Sequence, residues 1–253
     1  MPPYSSELKL SNKSINQLNS EDKAFHDWYR FVLSFPPHLV SHYLSKFGAD
    51  KSQIVLDPFS GTGTTLVECK KLGFSCVGLE ANPMAHFAST TKLDWALSPQ
   101  RLLDHADTVA ELYTQQIERA ATHAQQESLC ADAQKLMFKN DIGLRPLHKV
   151  LTLLKVIESL HCPRFYNHVR LACAQAAVRA SNIRFAPEVG ISRSLKEDAP
   201  VIQLWQEAIN NMAADISAFS KNEEISINTS VYLGDARNLS QHLPKHSIDI
   251  VIT

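Results

Sequence analysis

The residues best suited to chemistry lie between positions 54 and 82, where a glycine turn is bracketed by two carboxylates. Asp57 ends a short apolar run of the kind that forms a buried strand, and Glu80 ends a second one. Between them, residues 60–64 contain two glycines, which allow the backbone to approach a ligand closely. We expect a β-α-β unit that binds an adenosine-containing ligand, because an acid after the second strand can accept hydrogen bonds from ribose hydroxyls.

The same residues argue against a phosphate-bearing ligand. A dinucleotide loop has a third glycine where this chain has Leu66, and a phosphate loop has a Lys-Ser or Lys-Thr pair that is missing here. Asp57 at the mouth of the turn repels a phosphate but attracts an ammonium group. A ligand with an adenosine at one end and an amino acid at the other is S-adenosylmethionine, which we predict as the cofactor.

Two motifs carry a family resemblance. Residues 57–65 read DPFSGTGTT and residues 78–83 read GLEANP. Together they resemble the cofactor-binding motifs of amino-methylating DNA methyltransferases, which act on cytosine N4 or adenine N6. The resemblance implies that these motifs bind S-adenosylmethionine, and it predicts the following cofactor-binding residues: Asp57, Pro58, Phe59, Gly61, Gly63, Thr64, Glu80 and Asn82.

The resemblance also implies individual roles. Asp57 and the backbone of the two glycines would hold the methionine moiety, with Phe59 packed near the cofactor and Glu80 on the ribose. Thr64 would contact the carboxylate of the cofactor or cap its helix. Asp235, in the sequence Gly-Asp-Ala-Arg, resembles the family's acid that accepts the adenine amino group. A helix N-cap is the alternative role for this aspartate, and the two roles are compatible.

Two further stretches fit the same family order. A Phe-Pro sequence and an amphipathic helix, within residues 25–47, resemble the motif that lies against the methionine end of the cofactor. Residues 247–253 form a strand that, in the family, leads into the catalytic Ser-Pro-Pro-Tyr-like loop. No catalytic residue is therefore predicted here, because the expected motif lies beyond Thr253.

That arrangement leaves several hypotheses open. The chain can be the cofactor-binding half of a split enzyme whose second polypeptide carries the catalytic motif. It can also be the cofactor-binding half of a truncated enzyme. It can also be a non-catalytic cofactor-binding remnant or partner subunit. RNA guanine-N2 methyltransferases share the first motif and are a further alternative, although they usually carry an RNA-binding domain ahead of it.

The predicted fold class is α/β, a Rossmann-like S-adenosylmethionine-dependent methyltransferase fold with a large, mainly helical insertion and an incomplete C-terminus. The predicted parts are a flexible N-terminal arm (1–22), a cofactor-binding part (23–97), the helical insertion (98–224) and a return to the sheet (225–253). Long segments with few helix breakers predict helices at 99–129, 148–160, 164–181 and 199–221.

Composition limits the partners. The net charge is −1, so any DNA-binding surface must be a local patch. Residues 164–196 are rich in arginine, and within them we predict DNA contacts by four residues that combine basic and hydrogen-bonding groups: Arg179, Asn182, Arg184 and Arg193. A solvated helix face or a protein contact is the alternative for this stretch.

Five cysteines without a C-x-x-C pair indicate reduced thiols and neither a disulfide framework nor a metal site. No apolar run reaches membrane length, so we expect no membrane partner and a cytoplasmic location.

Overall fold

The computed structural model describes residues 17–30, 34–123, 126–185, 189–219 and 227–253. In chain order its elements are α1 (His38–Lys46), β1 (Ile54–Asp57), α2 (Thr64–Leu72), β2 (Ser75–Glu80), α3 (Pro83–Leu93), α4 (Pro99–His123), α5 (Ala131–Lys135), α6 (Leu144–Ser159), α7 (Tyr166–Ala180), β3 (Ile183–Arg184), β4 (Gly190–Ile191), α8 (Val201–Phe219), β5 (Thr229–Leu233) and β6 (Ile250–Val251). Short 3-10 turns lie at Ser20–Asp22, His26–Trp28 and Ala236–Gln241.

Four strands form one parallel sheet in the order β5-β2-β1-β6. In this sheet Asp57 lies beside Gly78, and Glu80 lies beside Leu233. The predicted α/β class is confirmed, since parallel neighbours such as β1 and β2 need a crossover, which α2 provides. β3 and β4 form a separate antiparallel pair.

Local sequence signals explain where the first helices begin and end. Gly63 precedes α2 with a φ of +87°, and Gly73 follows it with a φ of +86°; both values lie in the left-handed region that favours glycine. Asn82 caps α3 through its side chain, and Pro83 occupies the first helical position, where its missing N–H costs nothing. The elements around the glycine turn are therefore fixed locally.

The other long helices pack into a bundle. α7 lies between α6 and α8, and α4 also contacts both of those helices. Trp205 of α8 is fully buried and donates its Nε1–H to the carbonyl of Val169 in α7 over 2.9 Å. One continuous cluster of buried apolar side chains runs from the strands into these helices, so the helical part shares its core with the sheet.

One predicted helix end is wrong. α4 ends at His123 and not near residue 129, and residues 126–130 have no regular structure. β5 begins at Thr229. The predicted start of the return to the sheet, at residue 225, lies outside the described part, which omits residues 220–226 and residues 1–16 of the predicted arm. None of the described helices has both the length and the hydropathy that a bilayer crossing requires.

Candidate cofactor-binding site

The carboxyl ends of the parallel strands bring the predicted acidic residues to one edge of the sheet. Asp57 ends β1, Glu80 ends β2, and Asp235 follows β5 by two residues. The amide of Gly234 donates to the carbonyl of Glu80 over 3.0 Å, which keeps the segment after β5 against the end of β2. Ligands of open α/β sheets bind beyond this edge, so the fold gathers these three carboxylates where a ligand is expected.

Hydrogen bonds attach the glycine turn to the end of β2. The amide and hydroxyl of Ser60 both donate to the carbonyl of Leu79, over 2.9 and 3.2 Å. This contact needs Gly78, because a Cβ there would lie 2.6 Å from Leu66 Cδ1 and 3.0 Å from Ser60. The turn therefore crosses β2 so closely that only glycine fits beneath it.

The two glycines of the turn have different surroundings. Gly63 packs on α3, where an added Cβ would lie 2.9 Å from the Cβ of Ser89. Gly61 has a φ of +53°, and a Cβ there would meet no atom within 4 Å. Gly61 therefore faces open space into which a ligand can fit, and Gly63 fixes the turn to the protein.

Asp57 is buried, with 2% of its surface exposed. Its Oδ1 accepts a hydrogen bond from the amide of Phe59 over 3.1 Å. Burial raises the pKa of the Asp57 carboxyl, and the hydrogen bond from the Phe59 amide partly offsets this rise. A cationic group placed beside this carboxylate would stabilise its ionised form, so Asp57 is suited to a positively charged ligand.

Glu80 binds the backbone on both sides of the site. Its Oε2 accepts from the amide of Gly61 over 2.7 Å, and its Oε1 accepts from the amide of Asn82, also over 2.7 Å. An ionised carboxylate has about four acceptor positions, so about two remain for hydroxyl groups of a ligand. Glu80 thus orients the turn and still has acceptor positions left for a ligand.

The remaining residues of the two motifs have mixed positions. Asn82 Oδ1 accepts from the amides of Met84 and Ala85 over 2.9 and 3.1 Å, so its side chain is used as the cap of α3. Thr64 is buried at the start of α2, and Pro58 is half-buried. Phe59 is 69% exposed beside the turn, which leaves its ring available to a ligand.

Asp235 has the geometry of an N-cap. Its Oδ1 accepts from the amide of Arg237 over 2.9 Å, and the two side chains form an ion pair. The guanidinium of Arg237 lowers the pKa of Asp235 to about 2. The capping role is confirmed, and contact with the adenine amino group stays a prediction.

The four residues predicted to contact DNA do not form one surface. Asn182 is buried, with 2% exposed, and Arg179 is paired with Glu207 over 2.7 Å. Arg184 and Arg193 are exposed. The structural role of Asn182 has no signal in the sequence, because its partners lie at positions 140, 141 and 196.

Sequence reasoning also misses a groove of about 290 Å³ away from this edge of the sheet. Its lining residues are Asp27, Tyr29, Arg30, Gln175, Val178, Arg179 and Phe185. None of the predicted cofactor-binding residues contributes to it.

The described residues form an α/β protein in which a glycine turn and three carboxylates lie at the carboxyl edge of the parallel sheet. Residues 5–90 match the family described as DNA methylase. Three similar proteins are type II methyltransferases: M.BsoBI of Geobacillus stearothermophilus (32% identity), M.MjaII of Methanocaldococcus jannaschii (32%) and M.HindIII of Haemophilus influenzae (39%). Over this matching segment, the chain is similar to amino-methylating DNA methyltransferases.

The matches are partial. They cover 33%, 28% and 30% of this chain and, in the same order, 16%, 13% and 22% of the relatives. The chain thus spans a small part of the curated relatives that it matches. No solved structure matches the chain significantly.

Proposed function

We propose that this chain binds S-adenosylmethionine as part of a DNA methyltransferase that acts on an exocyclic amino group, at cytosine N4 or adenine N6. The observation that carries the proposal is the bond from the Gly61 amide to Glu80, which joins the two cofactor motifs at the carboxyl edge of the sheet. The match of residues 5–90 to a DNA methylase family supports DNA as the substrate.

The residues present fit this cofactor. The open space at Gly61 accommodates the methionine end, and the buried carboxylate of Asp57 lies beside the turn as a partner for a cationic group. Glu80 has acceptor positions left for the two ribose hydroxyls, and Asp235 follows the next strand as an acceptor for the adenine amino group.

S-adenosylmethionine supplies a methyl group on a positively charged sulfur, which is transferred readily to a nucleophilic nitrogen. The described residues bind and orient such a ligand. Asp57 favours its positive charge, and the short bonds of Glu80 keep the turn in one conformation before binding. A site that is organised in advance loses less free energy to ordering when the ligand binds.

Calorimetric titration of S-adenosylmethionine into the full chain and its Glu80→Ala variant tests the proposal. We expect roughly 10- to 150-fold weaker binding in the variant, because hydrogen bonds to a charged group are worth about 1.5–3 kcal/mol. Glu111→Ala, which removes an exposed carboxylate from α4, is the matched control and should bind as the wild type does.

Circular dichroism on the same samples separates binding from folding. A folded wild-type chain that gives no heat of binding would overturn the proposed cofactor role. Wild-type affinity in Glu80→Ala would overturn the assignment of the ribose to Glu80.

A further inference from the structure

Four large apolar side chains are exposed within nine residues of the helical part. Leu136 is 84% exposed, Leu144 and Phe138 are each 77% exposed, and Met137 is 38% exposed. Three of them form the consecutive stretch 136–138, here called the apolar loop. Clustered exposed apolar residues on a folded protein mark an interaction site more often than single ones do.

The apolar loop has a defined backbone. The amide of Phe138 donates to Asp141 Oδ2 over 3.1 Å, and the amide of Asp141 donates back to the carbonyl of Phe138 over 3.3 Å. Asn140 between them has a φ of +66°, in the left-handed region that asparagine tolerates better than most residues. The local bonds hold the turn that follows Phe138, so the ring stays exposed on an ordered loop.

Asn182 attaches this turn to the β3–β4 hairpin. Its amide donates to the carbonyl of Asp141 over 2.6 Å, and its Nδ2 donates to the carbonyl of Asn140 over 3.0 Å. Its Oδ1 accepts from the amide of Lys196 over 2.7 Å. The loop, the hairpin and the segment up to residue 196 therefore form one connected surface.

This surface is basic. Within the described residues, segments 135–145, 182–185 and 189–196 contain six basic residues (Lys135, Lys139, Arg145, Arg184, Arg193 and Lys196) and one acidic residue (Asp141). Lys139, Arg184 and Arg193 are exposed, and none of the three has an ion pair within the described residues. An apolar tip is thus accompanied by cations that are available to an anionic partner.

We propose that the apolar loop and these three cations bind duplex DNA. The cations contact phosphates, which carry most of the salt-dependent affinity of such complexes. Leu136 and Phe138 insert at a base step, as apolar wedges do in proteins that unstack and bend DNA. The inference rests on the proposed function, since DNA is the substrate proposed there, and it adds the apolar loop and Lys139 to Arg184 and Arg193, which the sequence already indicates.

The balance of side chains favours DNA over a protein partner. Lysine is depleted at protein interfaces, whereas arginine is enriched there. Here Lys139 directly follows Phe138, so a lysine lies beside the exposed ring of the loop. Basic side chains beside an exposed apolar wedge match the chemistry of a phosphate backbone and stacked bases.

Fluorescence anisotropy of a short labelled duplex at low salt tests the proposal on the full chain. We expect the double variant Leu136→Ser, Phe138→Ser to bind about tenfold more weakly, because serine cannot replace the apolar contact with the unstacked bases. Leu18→Ser, which removes an exposed leucine outside the helical part, is the control and should bind as the wild type does. The double variant Arg184→Gln, Arg193→Gln should reduce the dependence of affinity on salt.

A Phe138→Trp variant tests insertion directly. Its emission, after subtraction of the wild-type signal, should be quenched when DNA is added, because stacking on bases quenches indole fluorescence. An unquenched signal in a DNA-bound variant would overturn the wedge.

Two other outcomes also overturn the inference. A chain that binds S-adenosylmethionine but no duplex would overturn it while leaving the proposed cofactor role in place. Loop variants that change the sedimentation of the chain and leave DNA binding intact would assign the apolar loop to a protein interface instead.

Discussion

At the scale of single residues, Gly61 and Gly48 form a natural comparison. Both have a left-handed φ, of +53° and +61°, and a Cβ added to either would meet no atom within 4 Å. Replacement by alanine should therefore cost a similar backbone strain, about 1 kcal/mol, at both positions. The positions differ in that Gly61 lies in the glycine turn and donates its amide to Glu80.

We predict that Gly61→Ala weakens binding of S-adenosylmethionine about tenfold or more, because its methyl group takes up space that the ligand needs. Gly48→Ala should lose a similar amount of stability in urea and no affinity. Equal affinities of the two variants, measured by calorimetry, would mean that Gly61 does not line the ligand site.

Residues of the site differ in how well the sequence predicts them. Asp57, Gly61 and Glu80 lie in two short motifs on adjacent elements, so their types and spacing are enough to predict that they meet. Asn182 shows the opposite case. Its backbone amide bonds to residue 141, and its side-chain amide bonds to residues 140 and 196. Such long-range contacts depend on how the helices pack, which local patterns do not specify.

At the scale of elements, Asn182 connects three separate segments: the turn at residues 140–141, the β3–β4 hairpin and the segment at Lys196. The carbonyl of Asn140 and the amide of Lys196 are the backbone groups that its side chain satisfies. A buried polar group left without a partner costs about 1–3 kcal/mol. The hairpin and the apolar loop therefore depend on this side chain for their relative position.

We predict that Asn182→Ala lowers the free energy of unfolding by about 2–4 kcal/mol. DNA binding through the apolar loop should weaken in the same variant. Chemical denaturation and anisotropy measure the two effects, with Asn167→Ala, an exposed residue of α7, as the control. Unchanged stability with weakened DNA binding would instead support a direct contact of Asn182 with DNA.

Element boundaries illustrate what local sequence determines. Helix α3 begins at an Asn-Pro cap, and α2 ends immediately before Gly73. The end of α4 at His123 is not predicted, because residues 124–129 contain no glycine or proline that would stop a helix. Where no breaker is present, tertiary packing decides the boundary, and sequence reasoning overestimates the length.

At the scale of the whole molecule, residues 25–28 connect the sheet part to the helical part. The amide of Phe25 and the Nε1–H of Trp28 both donate to Asp215 Oδ2 of α8, each over 2.8 Å. The ring of Phe25 stacks on that of Trp95 at 4.2 Å between centroids. His26, which directly follows Phe25 in the sequence, contacts α2, where its Nε2–H donates to Glu68 Oε1 over 2.8 Å.

His26 should make the stability of this connection depend on pH. Burial lowers its pKa to about 4, although the bond to Glu68 acts in the opposite direction. In the unfolded chain a histidine titrates near 6.5, so between about pH 6.5 and 4 the unfolded state binds more protons and the folded state loses stability as the pH falls. The full stabilisation is present above about pH 6.5.

The wild type should lose free energy of unfolding as the pH falls from about 6.5 to 4. We predict that His26→Gln, which can keep a donor to Glu68, removes up to about 3 kcal/mol of this loss by pH 4. Urea unfolding of the wild type and the variant at several pH values between 7 and 4 measures the difference, in which the other histidines cancel. His161→Gln, at an exposed position, is the control, since that imidazole remains in contact with water in both states. The free energies of unfolding of the wild type and of His26→Gln could instead change in parallel with pH. That result would show that His26 becomes protonated as easily in the folded protein as in the unfolded chain. The contact with α2 would then not depend on the neutral form of His26.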